Sequence, residues 1–235
     1  MSWKDSEAQT QTMVTKTFEL TGAFGPVPGI YREPTETSGR LVLLGHGGTA
    51  NKEAEYIQLM ARVLNERGIA TVVIDAPGHG ERLDSSITPG PDAFEKMWHG
   101  GGGQEAALSD WRMTLDFIEA EYGPRATGWW GLSMGTMIGL PVCATDQRIQ
   151  VAQLGLMGTW GPNGESLREL APQMTCPIRF LVQWDDEIVP RDACLELFGL
   201  IGSRRKTLHA NPGLHSQVPM FEMRESAAYL DKRLG

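Results

Sequence analysis

Residues 131–135 read Gly131-Leu132-Ser133-Met134-Gly135, a G-x-S-x-G pentapeptide set between an apolar run at 127–130 and a small-residue stretch at 136–144. A nucleophile on a tight strand-to-helix turn needs glycine two positions before and two positions after it. Larger side chains there would collide with the adjoining strand and helix, whereas the turn itself holds the serine Oγ out toward a substrate. The same turn places the N–H of Met134 at a helix N-terminus, where it can face a developing oxyanion. Ser133 is therefore the candidate nucleophile, and its setting predicts a strand, a sharp turn and a helix.

Outward from this turn, short apolar runs alternate with helix-length amphipathic stretches. Strands are expected at 14–20, 28–31, 40–44, 70–74, 127–130, 151–157, 178–182 and 206–210. Helices are expected at 53–67 and 104–122, from about 134, and at 191–201 and 220–234. This order predicts an α/β fold with a mostly parallel central sheet and helices on both faces. Chemistry in such a sheet belongs at the C-terminal strand ends, where the motifs fall. Residues 81–103 read as an irregular Gly/Pro-rich excursion ending in four glycines, a small lid loop at most.

A serine nucleophile needs a base and an orienting acid. His215 follows Asn211-Pro212-Gly213-Leu214, in the loop between the last strand and the closing helix, where a base can reach across to the serine. His209 is second in line, because an in-strand side chain is confined to one sheet face. The acid is expected in Trp184-Asp185-Asp186-Glu187-Ile188-Val189-Pro190, after the strand at 178–182. Spacing alone leaves Asp185 and Asp186 both open. The tryptophans Trp98, Trp160 and Trp184 lie in the excursion or near strand ends and are candidates for a pocket wall, whereas Trp129 and Trp130 read as core.

Together these residues resemble the α/β-hydrolase fold superfamily, in particular compact serine hydrolases similar to dienelactone hydrolases and small carboxylesterases. The matching pieces are HGG at 46–48, DAPGHG at 75–80, GLSMG at 131–135, DDEIVP at 185–190 and His215. The order Ser, Asp, His is that of this fold. The family pattern G-x-x-D-x-x-V-P selects Asp186 as the acid, and its glycine falls on Gln183 here. The resemblance also implies that the N–H of Gly48 joins that of Met134 in the oxyanion hole. Dienelactone hydrolases carry a cysteine nucleophile, so Ser133 favours ester chemistry over theirs. The implied activity is hydrolysis of short-chain or small aromatic esters through an acyl-enzyme, in a fold with small lid loops and no large cap domain. Thioesterase, amidase or C–C hydrolase chemistry would use the same triad. A non-catalytic ligand-binding protein on this scaffold would be expected to lack a triad member.

Composition narrows the remaining classes. The chain has 235 residues, 21 Lys+Arg against 29 Asp+Glu, and a net charge of −8, which argues against a nucleic-acid-binding role. No apolar run reaches the length of a membrane span. Cys143, Cys176 and Cys194 are too widely spaced for a zinc site or a disulfide framework, and read as buried free thiols of a cytoplasmic protein. Gly45-x-Gly47-x-x-Ala50 formally fits a dinucleotide fingerprint, but two strands are expected before it and the Ser, Asp and His would go unexplained. No cofactor and no metal are expected, and the partner is a small-molecule ester. Residues 1–12 lack the apolar core of a signal peptide and read as a flexible polar tail, leaving 13–235 as a single α/β-hydrolase domain.

Overall fold

A computed structural model describes residues 2–10, 13–90 and 92–235, with the backbone alone for 2–10. The chain forms two compact units, Met1–Arg125 and Ala126–Gly235.

The first unit begins with strands β1 (Ser2–Thr10), β2 (Met13–Gly22) and β3 (Gly25–Pro34), each antiparallel to the next. Most of the stretch expected as a tail thus holds a strand, while residues 1, 11 and 12 lie outside the described residues. Strand β4 (Arg40–Gly45) is followed by helix α1 (Glu55–Asn65) and strand β5 (Ile69–Ile74). β5 pairs in parallel with β4 and antiparallel with β3. All six residues of β5 are buried, as a strand covered on both faces requires. Helix α1 buries Ile57, Met60, Ala61 and Leu64, one stripe at helical spacing.

Helix α3 (Gly103–Tyr122) matches the expected helix and buries Trp111, Leu115 and Ile118. The excursion before it is less irregular than its glycines suggest. It contains a 3₁₀ turn, Gly80–Arg82, and a helix, α2 (Ala93–Gly100), whose Trp98 is 1% exposed. Trp98 is therefore a core side chain here and presents no wall to a ligand. Burying its large apolar ring holds α2 in place, a tertiary gain that local glycine content does not report.

The second unit has four parallel strands, β6 (Ala126–Gly131), β7 (Ile149–Gly155), β8 (Ile178–Gln183) and β9 (Lys206–Asn211), in that spatial order. Helices α4 (Met134–Thr145), α5 (Gly164–Leu170) and α6 (Arg191–Leu200) lie in the connections, and α7 (Met220–Leu234) closes the chain. Parallel neighbours require such crossovers, because a hairpin cannot return the chain in the same direction. β8 is buried throughout, whereas β9 exposes part of its length, as the last strand of a row does. Trp129 and Trp130 are both fully buried, as their position in β6 predicts. Among the described residues no helix is long and apolar enough to cross a membrane.

Candidate active site

Ser133 sits between β6 and α4 with φ 59° and ψ −124°. A positive φ is costly for a residue with a Cβ, about 1–3 kcal/mol, so surrounding contacts must impose it. Those contacts are present. The Ser133 N–H donates to Gly155 O at 2.9 Å, and the Trp129 indole N–H donates to Gly135 O at 3.1 Å. Thr136 Oγ1 accepts the Gly155 N–H at 2.7 Å and lies within hydrogen-bonding distance of Gly131 O and Gly155 O. A Cβ on Gly131 would stand 2.6 Å from Gly135 O, so the turn closes only around a bare glycine. The N–H of Met134 opens α4, where first-turn amides have no acceptor within the helix.

His215 and Asp186 come from two other strand-end loops of the same unit. His215 Nε2 lies 2.9 Å from Ser133 Oγ, and His215 Nδ1 lies 2.7 Å from Asp186 Oδ2. The second oxygen, Asp186 Oδ1, accepts the N–H groups of Ile188 at 2.9 Å and Val189 at 2.8 Å. These two amides aim the carboxylate, and its side chain is only 1% exposed. Asp185 is turned away and accepts the Gly213 N–H at 3.0 Å. The neighbouring carboxylates, inseparable by spacing, are separated by which one the loop folds inward. His209 is not on the serine. Its Nε2 lies 3.1 Å from Thr207 Oγ1, and burial, reinforced by the Arg179 charge, lowers its pKa.

Three further side chains surround this constellation in hydrogen-bonding roles that the motifs do not announce. Gln183 holds two carbonyls of the His215 loop, Glu187 accepts the His215 N–H at 2.8 Å, and Arg191 donates to Trp184 O at 3.0 Å while lying 4.4 Å over the Trp184 ring. Trp184 and Trp160 are both about half exposed. They keep the solvent-facing surface that a pocket wall requires, unlike Trp98.

In the first unit, the HGG and DAPGHG loops are tied together. His46 Nε2 accepts the Ala76 N–H at 3.0 Å, so the ring proton is on Nδ1, which donates to Gly47 O at 2.9 Å. Burial pushes the His46 pKa down to about 4. His79 Nε2 and Nδ1 lie 2.9 Å from Gly48 O and Pro77 O respectively. The ammonium of Lys52 lies 2.8 Å from the buried Asp75 carboxylate. His46 and His79 thus shape the segment carrying Gly48. A groove of about 680 Å³ runs along α3 past Leu108, Arg112, Met113 and Phe117, and none of the candidate residues lines it.

A model of the alpha/beta hydrolase family matches residues 41–232. Comparison with curated proteins gives no match. Among solved structures, the chain is 56% identical to a PEG-bound complex of a cold-adapted esterase from an Arctic intertidal metagenomic library, with both chains covered completely and a TM-score of 0.94. A zinc-bound structure carrying the same description is 53% identical over the full length of both chains, with a TM-score of 0.89. An acetyl xylan esterase from Paenibacillus sp. R4 shares 18% identity over 99% of this chain and 89% of its own, at a TM-score of 0.76, a likeness of fold alone. By the extent of the family match and the identity of these relatives, the chain belongs to the alpha/beta hydrolase family.

Proposed function

We propose that the protein is a serine carboxylesterase acting through an acyl-enzyme, with Ser133 as nucleophile, His215 as general base and Asp186 as the acid that orients it. The observation that carries this reading is the unbroken hydrogen-bonded path from Asp186 through His215 to Ser133 Oγ, made by three loops of one unit. The relatives described as esterases, more than half identical in sequence, favour ester bonds over the other linkages open to this triad.

The order of events follows from these proposed roles. Asp186 holds the Nδ1 proton, leaving Nε2 with its lone pair toward Oγ. As Oγ attacks the ester carbonyl, Nε2 takes its proton, and the imidazolium is stabilised by the Asp186 carboxylate. The Met134 N–H donates to the oxyanion. The family resemblance implies the N–H of Gly48 as a second donor. His215 then passes its proton to the leaving alcohol. In the second half it deprotonates water, which attacks the acyl-enzyme and frees Ser133.

Small esters suit a chain whose lid material is short. Trp160 and Trp184 are the wall candidates that retain exposed surface. The reading takes 13–235 as one hydrolase domain, supported by a family match that runs from 41 to 232. Free thiols at Cys143, Cys176 and Cys194 suit the cytoplasm, which cell fractionation would test.

The direct test is labelling with a fluorophosphonate probe alongside hydrolysis of a p-nitrophenyl ester series. The wild type should label and turn over short acyl chains, and Ser133→Ala should do neither. Equal labelling of both proteins, or faster turnover of matched acyl thioesters, would displace this reading.

A further inference from the structure

His215 lies in the link between β9 and α7, with no helix or strand of its own to hold it. Ordering such backbone costs about 1–2 kcal/mol per residue, so the link must be fixed by bonds from outside. Three successive amides are each taken by a side-chain oxygen. Gly213 N–H goes to Asp185, Leu214 N–H to Gln217 at 3.0 Å, and His215 N–H to Glu187 at 2.8 Å. Asp185, Glu187 and Gln217 are exposed, where water competes for the same groups.

Gln183 is different. It is the last residue of β8, fully buried, and stands where the family pattern carries glycine. Its Nε2 donates to Leu214 O at 3.2 Å and to Gln217 O at 3.0 Å, one carbonyl immediately before His215 and one two residues after it. Two carbonyl acceptors fix which end of the amide is NH₂, and both of its hydrogens are used. Gly213, at φ 119°, clears the approach, since a Cβ there would stand 3.2 Å from Gln183 Nε2. The amide oxygen finds no partner among the described residues, a cost of about 1–3 kcal/mol that an apolar side chain would avoid. Stability alone gives little reason for an amide at this position. Holding the two carbonyls that bracket His215 gives one.

We propose that Gln183 is a positioning residue for His215, its buried amide setting the imidazole between Asp186 and Ser133, with Glu187 holding the same loop from the solvent side. The inference rests on the esterase reading. A loop shifted by about 1 Å costs up to a hundredfold in rate when it carries the base, so the loss belongs in kcat.

The test compares Gln183→Met, which keeps the volume and removes both donors, with Glu187→Ala, at an exposed site. Each is measured for kcat and KM with a p-nitrophenyl ester, and for Tm. Gln183→Met should lower kcat about ten- to a hundredfold with KM within about twofold. Glu187→Ala should lower kcat in the same way by less, with KM likewise held. Folded variants with lowered Tm but wild-type kcat would make these residues merely structural and overturn the proposal. If Gln183→Met does not fold, Glu187→Ala decides alone: a wild-type kcat overturns it, and a reduced kcat at unchanged KM supports it. Retained activity in Ser133→Ala would defeat the esterase reading and this inference with it. An inactive Ser133→Ala beside unaffected loop variants would defeat this inference only.

Discussion

His215 Nε2 stands 2.9 Å from Ser133 Oγ, although 82 residues separate them in the chain. They meet because the strand ends of β6 and β9 and the turns that follow deliver both loops to one place in the same unit. The hydrogen bond needs an unprotonated Nε2 to accept from the serine. Asp186 provides for that by holding the proton on Nδ1 at the other side of the ring.

Asp186→Asn and Asp185→Asn should therefore differ sharply, though the substitutions are chemically identical and adjacent. An asparagine at 186 can present its NH₂ to Nδ1 and favour the wrong tautomer, so kcat should fall by about a thousandfold or more. At 185 the amide oxygen can still accept the Gly213 N–H, and the loss should stay within about threefold. Steady-state kinetics on a p-nitrophenyl ester reads both. A larger loss at 185 would reassign the acid.

Gly131→Ala should damage stability and activity together. The new methyl would lie 2.6 Å from Gly135 O, a backbone atom that cannot rotate away. Opening the turn strains the support that keeps Ser133 at φ 59°. The expected cost is about 1–3 kcal/mol in a urea titration, with kcat reduced in the fraction that remains folded. A wild-type urea midpoint would show that the turn has more room than its geometry implies.

Stability should fall with acidification between about pH 6.5 and pH 4, in part through His46. Its folded pKa, about 4, lies below that of an unfolded histidine, 6.5. Within this window the unfolded chain binds a proton that the folded chain refuses, so stability rises with pH. The contribution is complete above 6.5 and lost by about 4, roughly 3 kcal/mol in all. His46→Gln should flatten this part of the pH dependence of the urea midpoint. An unchanged slope would place the acid sensitivity elsewhere.

The three thiols should be silent in the native protein. Burial pushes Cys176 up to about 11 and Cys194 up to about 12, and raises Cys143 well above the ordinary range. The thiolate is the reactive form, so an Ellman titration at pH 8 should give almost no fast-reacting groups in buffer and three in guanidinium. One rapid native thiol would identify a local opening around that cysteine.

Much of the second unit was legible in the sequence because its signals are local. The apolar runs that became β6 and β8 are buried on both faces, and the glycines flanking Ser133 are where the turn needs them. The His loop and acid loop were visible as interruptions between periodic segments. The resemblance pointed to Asp186, and the observed contact with His215 is made by that residue.

Other features depended on distant parts of the chain. β1 is polar and has no hydrophobic alternation, and it is a strand through its ladder with β2. The glycine-rich excursion contains α2 because Trp98 finds a buried site, which no property of residues 93–100 announces. Sequence order alone therefore determined the alternation of strands and helices, the serine turn and the residue types available for acid and base. Tertiary structure decided which carboxylate faces His215, which tryptophans stay exposed, and that a glutamine at the end of β8 holds the histidine loop. Hydrophobic period and turn chemistry act within a few residues. Hydrogen-bond partners and burial are settled only when segments far apart in the chain compete for the same space.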